Sequence, residues 1–340
     1  MLIDMHAHVV PDSIRPPSAG IATDRWPVID KSGDVPVLVM GQTRFNATPL
    51  WWDVEQRTAA SEAAGVDMEV VSPLPTFLNY GFPPRAGLDY CRAVNEWLAR
   101  FCEYRPRRFY PLGIVPMQAP EAAAAELEGL KREGFVGVEV ASNIAGKSLG
   151  EPQFVEFFQE AERTGMCVFV HGLGPTFAER YPQAAGAGFG IAAEIGVAAV
   201  SLVASGLAET CPRLRLAFSH GAGGFPLMLT RAQYFWSGAW NEGPQRPDFA
   251  ARPNQAAVSP AESARKFYYD SLVFDRRALR YLVDMLGPER LLIGTDFPAM
   301  QREERAGDTL RSLGLPQAQV DAICWDNCFR FIGVEQPAGK

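Results

Sequence analysis

Eight short apolar runs alternate with longer, helix-spaced segments along this 340-residue chain, and no other feature restricts its fold as strongly. Repeated strand–helix units assemble into a parallel sheet covered by helices. Strands covered on both faces are apolar throughout rather than alternating. The spacing places core strands near 2–6, 66–72, 109–115, 135–141, 166–171, 214–219, 266–271 and 290–295. Helices are expected near 53–64, 87–104, 118–133, 154–164, 189–209, 223–239, 275–287 and 302–312, with a terminal helix near 317–329. The clearest is A-P-E-A-A-A-A-E-L-E-G-L-K-R-E-G, in which Pro120 suits the first turn, Ala and Leu favour helix, and Gly134 stops it. Eight such units are what a closed barrel requires. The expected fold is therefore α/β: a (β/α)8 TIM-like barrel built by residues 1–333 as one domain, with a frayed tail at 334–340.

Two stretches break the rhythm. Residues 11–51, rich in Pro, Gly and Asp, form an excursion after strand one, with a small hairpin expected around V-P-V-L-V-M. Residues 240–264 carry four prolines and little periodicity, and are expected to be a long loop. Connections of this length often cover an active site or build a subunit contact.

Thirty-two basic against 39 acidic residues give a formal charge of −7. That balance gives no support to a nucleic-acid surface and leaves room for a local basic pocket that takes a small anion. The opening M-L-I-D-M-H is too short and acidic for a signal peptide, and no apolar stretch is long enough to span a membrane. A cytoplasmic location is the expectation. The six cysteines, Cys91, Cys102, Cys167, Cys211, Cys324 and Cys328, are dispersed through a chain too large to need disulfides. Cys324 and Cys328 lack the second cluster that a zinc knuckle needs.

The chain holds only four histidines, and they end three of the predicted strands. His6 and His8, at i and i+2 of an extended segment, lie on one side of it, so their rings can converge on one ion; the plainer alternative is two polar residues in a turn. A helical H-E-x-x-H arrangement is absent. His171 ends Met-Cys-Val-Phe-Val at the carboxyl end of a strand, where a barrel gathers its chemistry. Gly172 and Gly174 after it allow a tight turn and close backbone approach. A lone histidine there is more often structural, but convergence with His6 and His8 favours ligation. His220 opens H-G-A-G-G-F-P and is either a further ligand or a neutral imidazole that takes and returns a proton. The acid/base role is preferred because three nitrogens and one carboxylate already complete a ligand set. Asp296 supplies that carboxylate: it follows the apolar run R-L-L-I-G-T and needs a partner, which a divalent cation provides. A salt bridge or backbone cap is the structural alternative. Gly294 and Thr295 look like packing positions, and Pro298 limits the turn that aims Asp296.

I-D-M-H-A-H at the start, F-V-H at 169–171, F-S-H-G-A-G-G-F-P at 218–226 and I-G-T-D-F-P at 293–298 together resemble the amidohydrolase superfamily. More narrowly, the set is similar to its amidohydrolase-related decarboxylase branch, typified by aminocarboxymuconate-semialdehyde decarboxylase. N-C-F-R-F-I-G at 327–333 resembles the closing helix of that family. The resemblance implies one divalent ion held by His6, His8, His171 and Asp296, with His220 beside it as acid/base. It also implies a homodimer in which an arginine after His220, here Arg231, reaches the neighbouring subunit's site. An arginine before the first outer helix binds a substrate carboxylate in these enzymes; Arg44 is the match, with Arg57 as the alternate. The lysine and extra histidines of a carbamate-bridged two-metal centre are missing. Zinc fits the three-nitrogen, one-oxygen set, with manganese as the alternative.

The expected reaction is removal of a carboxyl group, without oxidation, from a small planar unsaturated or aromatic acid. The ion orients the substrate carboxylate or holds a water, His220 moves a proton, and Asp296 assists as an acid/base. Aromatic residues near the mouth, Phe45, Trp51, Trp52, Phe77, Phe225 and Phe297, suit a flat substrate, with Phe297 and Trp52 taken as contacts and arginine anchoring the acid. Most of the 21 Phe and seven Trp of the chain nonetheless serve packing. The alternative is a hydratase or C–C hydrolase that activates water at the same ion, because the fold does not choose among these chemistries. A metal-stabilised scaffold without activity is disfavoured by the complete ligand set beside His220. No G-x-G-x-x-G follows the first strand, which argues against a nicotinamide or flavin enzyme.

Overall fold

The computed structural model describes residues 1–21, 26–41, 43–174, 176–180, 182, 185–238 and 257–336. Eight parallel strands stand in chain order around the molecule: β1 (Ile3–Val9), β2 (Met68–Pro73), β3 (Phe109–Ile114), β4 (Gly137–Ala141), β5 (Cys167–His171), β6 (Leu216–Phe218), β7 (Tyr268–Asp270) and β8 (Leu291–Leu292). The ring is completed by backbone hydrogen bonds beyond β8. The Met5 amide donates to the Ile293 carbonyl at 2.8 Å, that of Asp296 to His6 at 2.7 Å, and that of His8 to Phe297 at 2.7 Å.

Each strand sorts its side chains between two layers. Val138 and Val140 of β4, Val168 and Val170 of β5, and Phe218 of β6 face outward to pack under the helices. Ile3, Met5, Val70, Leu112, Phe169 and Leu292 fill the barrel interior, together with Trp325, Phe329 and Phe331 from the terminal helix. The outer layer is built by α1 (Val54–Ala63), α2 (Pro84–Glu103), α3 (Pro120–Arg132), α4 (Val155–Thr164), α5 (Ile191–Ala204), α6 (Phe225–Trp236) and α7 (Arg276–Leu286). The Asp53 side chain caps α1 by accepting from the Gln56 amide, and Asp275 caps α7 through Arg277 and Ala278. No helix among the described residues is long and apolar enough to cross a membrane.

Several elements depart from the sequence expectation. The helix expected over 302–312 shrinks to Asp308–Arg311, because Arg302 is drawn into a buried ion network and Gly307 stands in the left-handed region. The helix expected over 189–209 breaks at Gly206, also left-handed, leaving a separate turn at Leu207–Thr210. The hairpin expected in the excursion is a three-stranded antiparallel sheet of Val28–Asp30, Val37–Met40 and Thr43–Asn46. Of the stretch expected to be a loop, 240–256 falls outside the described residues. Pro260–Ala264 is helical, started by a capping box between Ser259 and Glu262. The terminal helix runs on to Ile332 and ends at left-handed Gly333.

The seam between β1, β2 and the segment after β8 is filled by charge. Arg302 bonds Asp4 at 3.0 Å, Glu69 at 2.7 Å, Ser61 at 2.9 Å and Thr295 at 3.1 Å. Arg57, fully buried, bonds Glu69 at 2.6 Å and the His8 carbonyl at 2.6 Å. Burial raises the Glu69 carboxyl, but Arg57 and Arg302 outweigh it and hold it down to about 2. Burial raises Asp4 above its ordinary value despite Arg302, so Glu69 is the firmly ionised member. Replacing Arg302 by Ala leaves buried carboxyls without a partner, and is expected to cost about 3–5 kcal/mol of unfolding free energy. Urea titration measures this, and a loss below about 1 kcal/mol would show that the network does not hold the seam.

Candidate metal centre

The histidine pair owes its aim to an irregularity in β1. Ile3 pairs with Met68 and Asp4 with Glu69, but Ala7 pairs with Val71, so two residues of β1 stand opposite one of β2 between these points. Such a bulge re-aims side chains. Ile3 and Met5 pack in the interior, as simple alternation requires, while beyond the bulge Ala7 and Val9 face the helices. His6 and His8 consequently turn inward, where His171 meets them from the end of β5.

The three imidazoles present the same nitrogen to one point. His6 Nε2 lies 3.0 Å from both His8 Nε2 and His171 Nε2. Asp296 Oδ1 lies 3.1 Å from His8 Nε2 and 3.6 Å from His6 Nε2. The opposite nitrogens are taken up elsewhere: His6 Nδ1 meets Asp270 at 2.6 Å, His8 Nδ1 meets Ser72 at 3.1 Å, and His171 Nδ1 donates to the Gly172 carbonyl at 2.8 Å. These partners hold each ring so that its Nε2 faces one common point, where it becomes a metal donor once it carries no proton, and outer partners of this kind are what orient histidine ligands. The donor set fits a divalent ion. Asp270 and Ser72 were not foreseen from the sequence; their only signal was a polar residue at the end of an apolar strand. Gly294 is explained here, because a Cβ at that position would stand 2.8 Å from His6 Cβ and 2.9 Å from Asp270 Cβ. Only glycine lets the His6–Asp270 pair close.

Asp296 and His220 are held in left-handed backbone, with φ of 57° and 51°. For residues other than glycine that conformation is costly, and it clusters where geometry serves chemistry. Burial raises the Asp296 carboxyl, but His6 and the hydrogen bond from His8 overcome it and keep it well below the ordinary range. A ring nitrogen of His220 shares a space with donor atoms of His6, His171 and Asp296, all within 4.8 Å of one another. The His220 Nε2 is enclosed and has no hydrogen-bond partner among the described residues. Burial, with His6 beside it, lowers its pKa. Glu139 on β4 is a further buried acid, grouped with His8 and His171, and burial pushes its carboxyl well above the usual range.

A cavity of about 900 Å³ opens onto His171, His220 and Asp296. Its walls are largely apolar, from Ile191, Pro226, Val273, Tyr281 and Leu282. Among the described residues Arg277 brings the positive charge to this wall, with Asp275 3.1 Å away. Arg44 is exposed on the outer three-stranded sheet. Trp52 borders a different surface pocket and lies under the Lys31 ammonium. Phe297 is covered by the guanidinium of Arg302, 3.7 Å from its ring centre, and faces Arg57 at 5.3 Å. Arg57 itself spends its donors on Glu69 and on the carbonyls of His8, Leu50 and Phe297, which leaves it as a clamp on the protein interior. Arg231 is exposed on α6, stacked over Phe235 at 4.8 Å.

Three imidazoles and a carboxylate at the carboxyl face of a parallel barrel, with a fourth imidazole over a largely apolar, open-mouthed cavity, fit a metal-dependent barrel enzyme. The amidohydrolase family model matches residues 3–334, and the chain belongs to that family. It is 29% identical over 338 residues to the 2-amino-3-carboxymuconate-6-semialdehyde decarboxylase of Dictyostelium discoideum, covering 98% of this chain and 92% of that protein. It is 31% identical over 226 residues to the gamma-resorcylate decarboxylase of Rhodococcus jostii, covering 62% of this chain and 67% of the relative. A dihydroxybenzoic acid decarboxylase of Polaromonas, solved with manganese and the inhibitor 2-nitroresorcinol, superposes with a TM-score of 0.72 at 21% identity, covering 98% of this chain and 96% of the other.

Metal uptake carries a pH signature. Burial lowers the His6 imidazole, but Asp296 and Asp270 outweigh it and push it up to about 9, whereas burial holds His8 down to about 4. Below about pH 9 an incoming ion must therefore displace a proton from His6, so apparent affinity is expected to rise about tenfold per pH unit. Chelator competition across about pH 6.5–8.5 measures the slope. A flat profile would mean that His6 is already neutral in the metal-free protein.

Proposed function

We propose that the chain catalyses metal-dependent, non-oxidative decarboxylation of a small planar unsaturated or aromatic acid. The observation that carries this reading is the convergence of His6, His8, His171 and Asp296 beside His220, whose Nε2 has no hydrogen-bond partner among the described residues, at the end of a largely apolar cavity. Two curated relatives named as decarboxylases of such acids support it over water addition or C–C hydrolysis. His6, His8, His171 and Asp296 would hold the divalent ion, which would supply a Lewis acid that lowers the cost of the electron pair left by the departing carboxylate. The apolar walls hold the flat acid and exclude water from it. His220, whose ring is neutral at rest because burial lowers its pKa, first takes up a proton from the incoming acid or from solvent. It then delivers that proton to the carbon that loses carbon dioxide and returns to the neutral ring, while ionised Asp296 can accept a proton during that transfer. Zinc suits three imidazoles and one carboxylate, and the manganese of the Polaromonas relative supports a harder ion as the alternative.

A substrate panel followed for carbon dioxide and ultraviolet change, run in deuterated water, tests the reaction. One deuteron on the vacated carbon with no net water uptake is expected. His220→Asn should keep the metal and lose about 100-fold or more in turnover. Water incorporated with the carboxylate retained would sink the decarboxylase reading.

The substrate's acid group is the second half of the proposal. Arg44, expected to bind this group, stands exposed on the outer sheet; Arg277, an exposed residue that borders the cavity and pairs with Asp275, is proposed as its alternate. Arg231 is proposed to act across a homodimer interface. Leu227, Met228, Tyr234 and Phe235 are exposed apolar residues three or four positions from Arg231, so α6 presents one apolar stripe with the arginine at its centre. Six free, buried thiols support a reducing, cytoplasmic setting, and residues 1–333 act as one catalytic domain in this reading. Arg277→Ala should raise KM about 10-fold or more with metal content unchanged, as loss of a charged anchor does. Mixing inactive R231A and H220N chains should restore activity in mixed dimers; a fully active monomer would rule out the shared site.

A further inference from the structure

Glu139 is a charge-bearing side chain that the centre described above leaves unused. On β4 its neighbours Val138 and Val140 pack outward beneath the helices, so Glu139 turns into the barrel. It pairs in register with Phe169 of β5, two residues before His171. Its side chain is completely buried, and neither carboxyl oxygen has a hydrogen-bond partner among the described residues. Ser72 is close enough to favour its ionised form, but that hydroxyl sits on His8 Nδ1 at 3.1 Å, outside the geometry of a bond to Glu139. One Glu139 oxygen, a His8 nitrogen and a His171 nitrogen all lie within 4.8 Å of one another.

From this geometry we infer that Glu139 is an additional ligand of the single divalent ion, completing a donor set of three imidazoles and two carboxylates. The inference rests on the metal centre proposed for His6, His8, His171 and Asp296. A carboxyl group without donors, sealed in a barrel, either keeps its proton or gives it up to a cation, and donor nitrogens that would hold such a cation stand beside this one. The consequences concern the ion itself. Two carboxylates cancel the charge of a divalent ion, and the second oxygen donor moves the site away from the four-coordinate preference of zinc. Five protein ligands and one position for a substrate oxygen make a six-coordinate site, the arrangement of harder ions such as manganese.

The test uses full-length wild type, E139Q, E139D and H171A, each freed of metal and checked for folding by circular dichroism. Manganese binding is read from the loss of the free-ion electron paramagnetic resonance signal, and zinc binding from chelator competition. Wild type should take up one manganese per chain, and E139Q should bind it at least about 100-fold more weakly, beyond the effect of most outer-shell partners. The loss for zinc should be smaller. E139D, which keeps the charge on a shorter arm, should alter the spectrum of bound manganese. A crystal of the manganese-loaded wild type should place a Glu139 oxygen about 2.0–2.2 Å from the ion, the range for carboxylate ligands. Wild-type affinity in E139Q with an unchanged spectrum in E139D, a Glu139 oxygen beyond about 3 Å from the ion, or two ions per chain would each overturn the role. H171A separates the two claims: it should lose the ion whether or not Glu139 binds it, and retention there would instead defeat the underlying metal centre.

Discussion

The contact between β1 and the segment after β8 is the constraint on which the rest of this molecule depends. The hydrogen bonds that close the ring involve the backbone of the proposed ligands themselves: the Asp296 amide donates to His6, and the His8 amide to Phe297. Closing the barrel and building the metal centre are therefore one event, since a slip in this seam would part Asp296 from both histidines. Arg57 reinforces the same place from behind by bonding the His8 and Phe297 carbonyls.

Two polar layers lie back to back at this seam. On the helix side, Arg57 and Arg302 neutralise Glu69 and Asp4, and that layer is complete within the protein. On the inner side, three imidazoles, Asp296 and Glu139 gather with too few donors among themselves to satisfy one another. Buried charge of the first kind holds a register in place, whereas buried polar groups of the second kind call for a ligand. The bulge in β1 links the layers, because it lets Asp4 face the helix-side network while His6 and His8 both face the cluster formed with His171 and Asp296. A strand of regular alternation would place Asp4, His6 and His8 on one face.

Much of the architecture was legible beforehand because βα units announce themselves locally. The run before His171 and the Ala-rich segment ending at Gly134 formed the strand and helix their composition favours. Elements whose form depends on distant partners were not legible. Arg302 sits in a stretch with helical spacing, yet its guanidinium is worth more among Asp4, Glu69 and Thr295 than in a helix turn. The residues that line the cavity were the least visible, since its walls are drawn from several loops. Arg277 is adjacent to the pocket only because the start of α7 is folded against the end of β7, whereas Arg44, nearer in sequence to the histidine pair, lies on an outer sheet.

By itself the sequence determined which residues are available for chemistry and the repeating units that carry them: four histidines, three predicted strand ends and one late aspartate. Those signals survive because they are carried by residue type and short spacing. Only the tertiary structure decided which nitrogen each histidine turns to the centre, that Asp270, Ser72 and the Gly172 carbonyl hold the others, and that Glu139 has no hydrogen-bond partner among the described residues. The reason is that orientation and unsatisfied polarity are properties of packing. They come from contacts between segments far apart in the chain, such as His6 and Asp270, 264 residues apart, and appear only once closure of the ring removes water from the groups that face it.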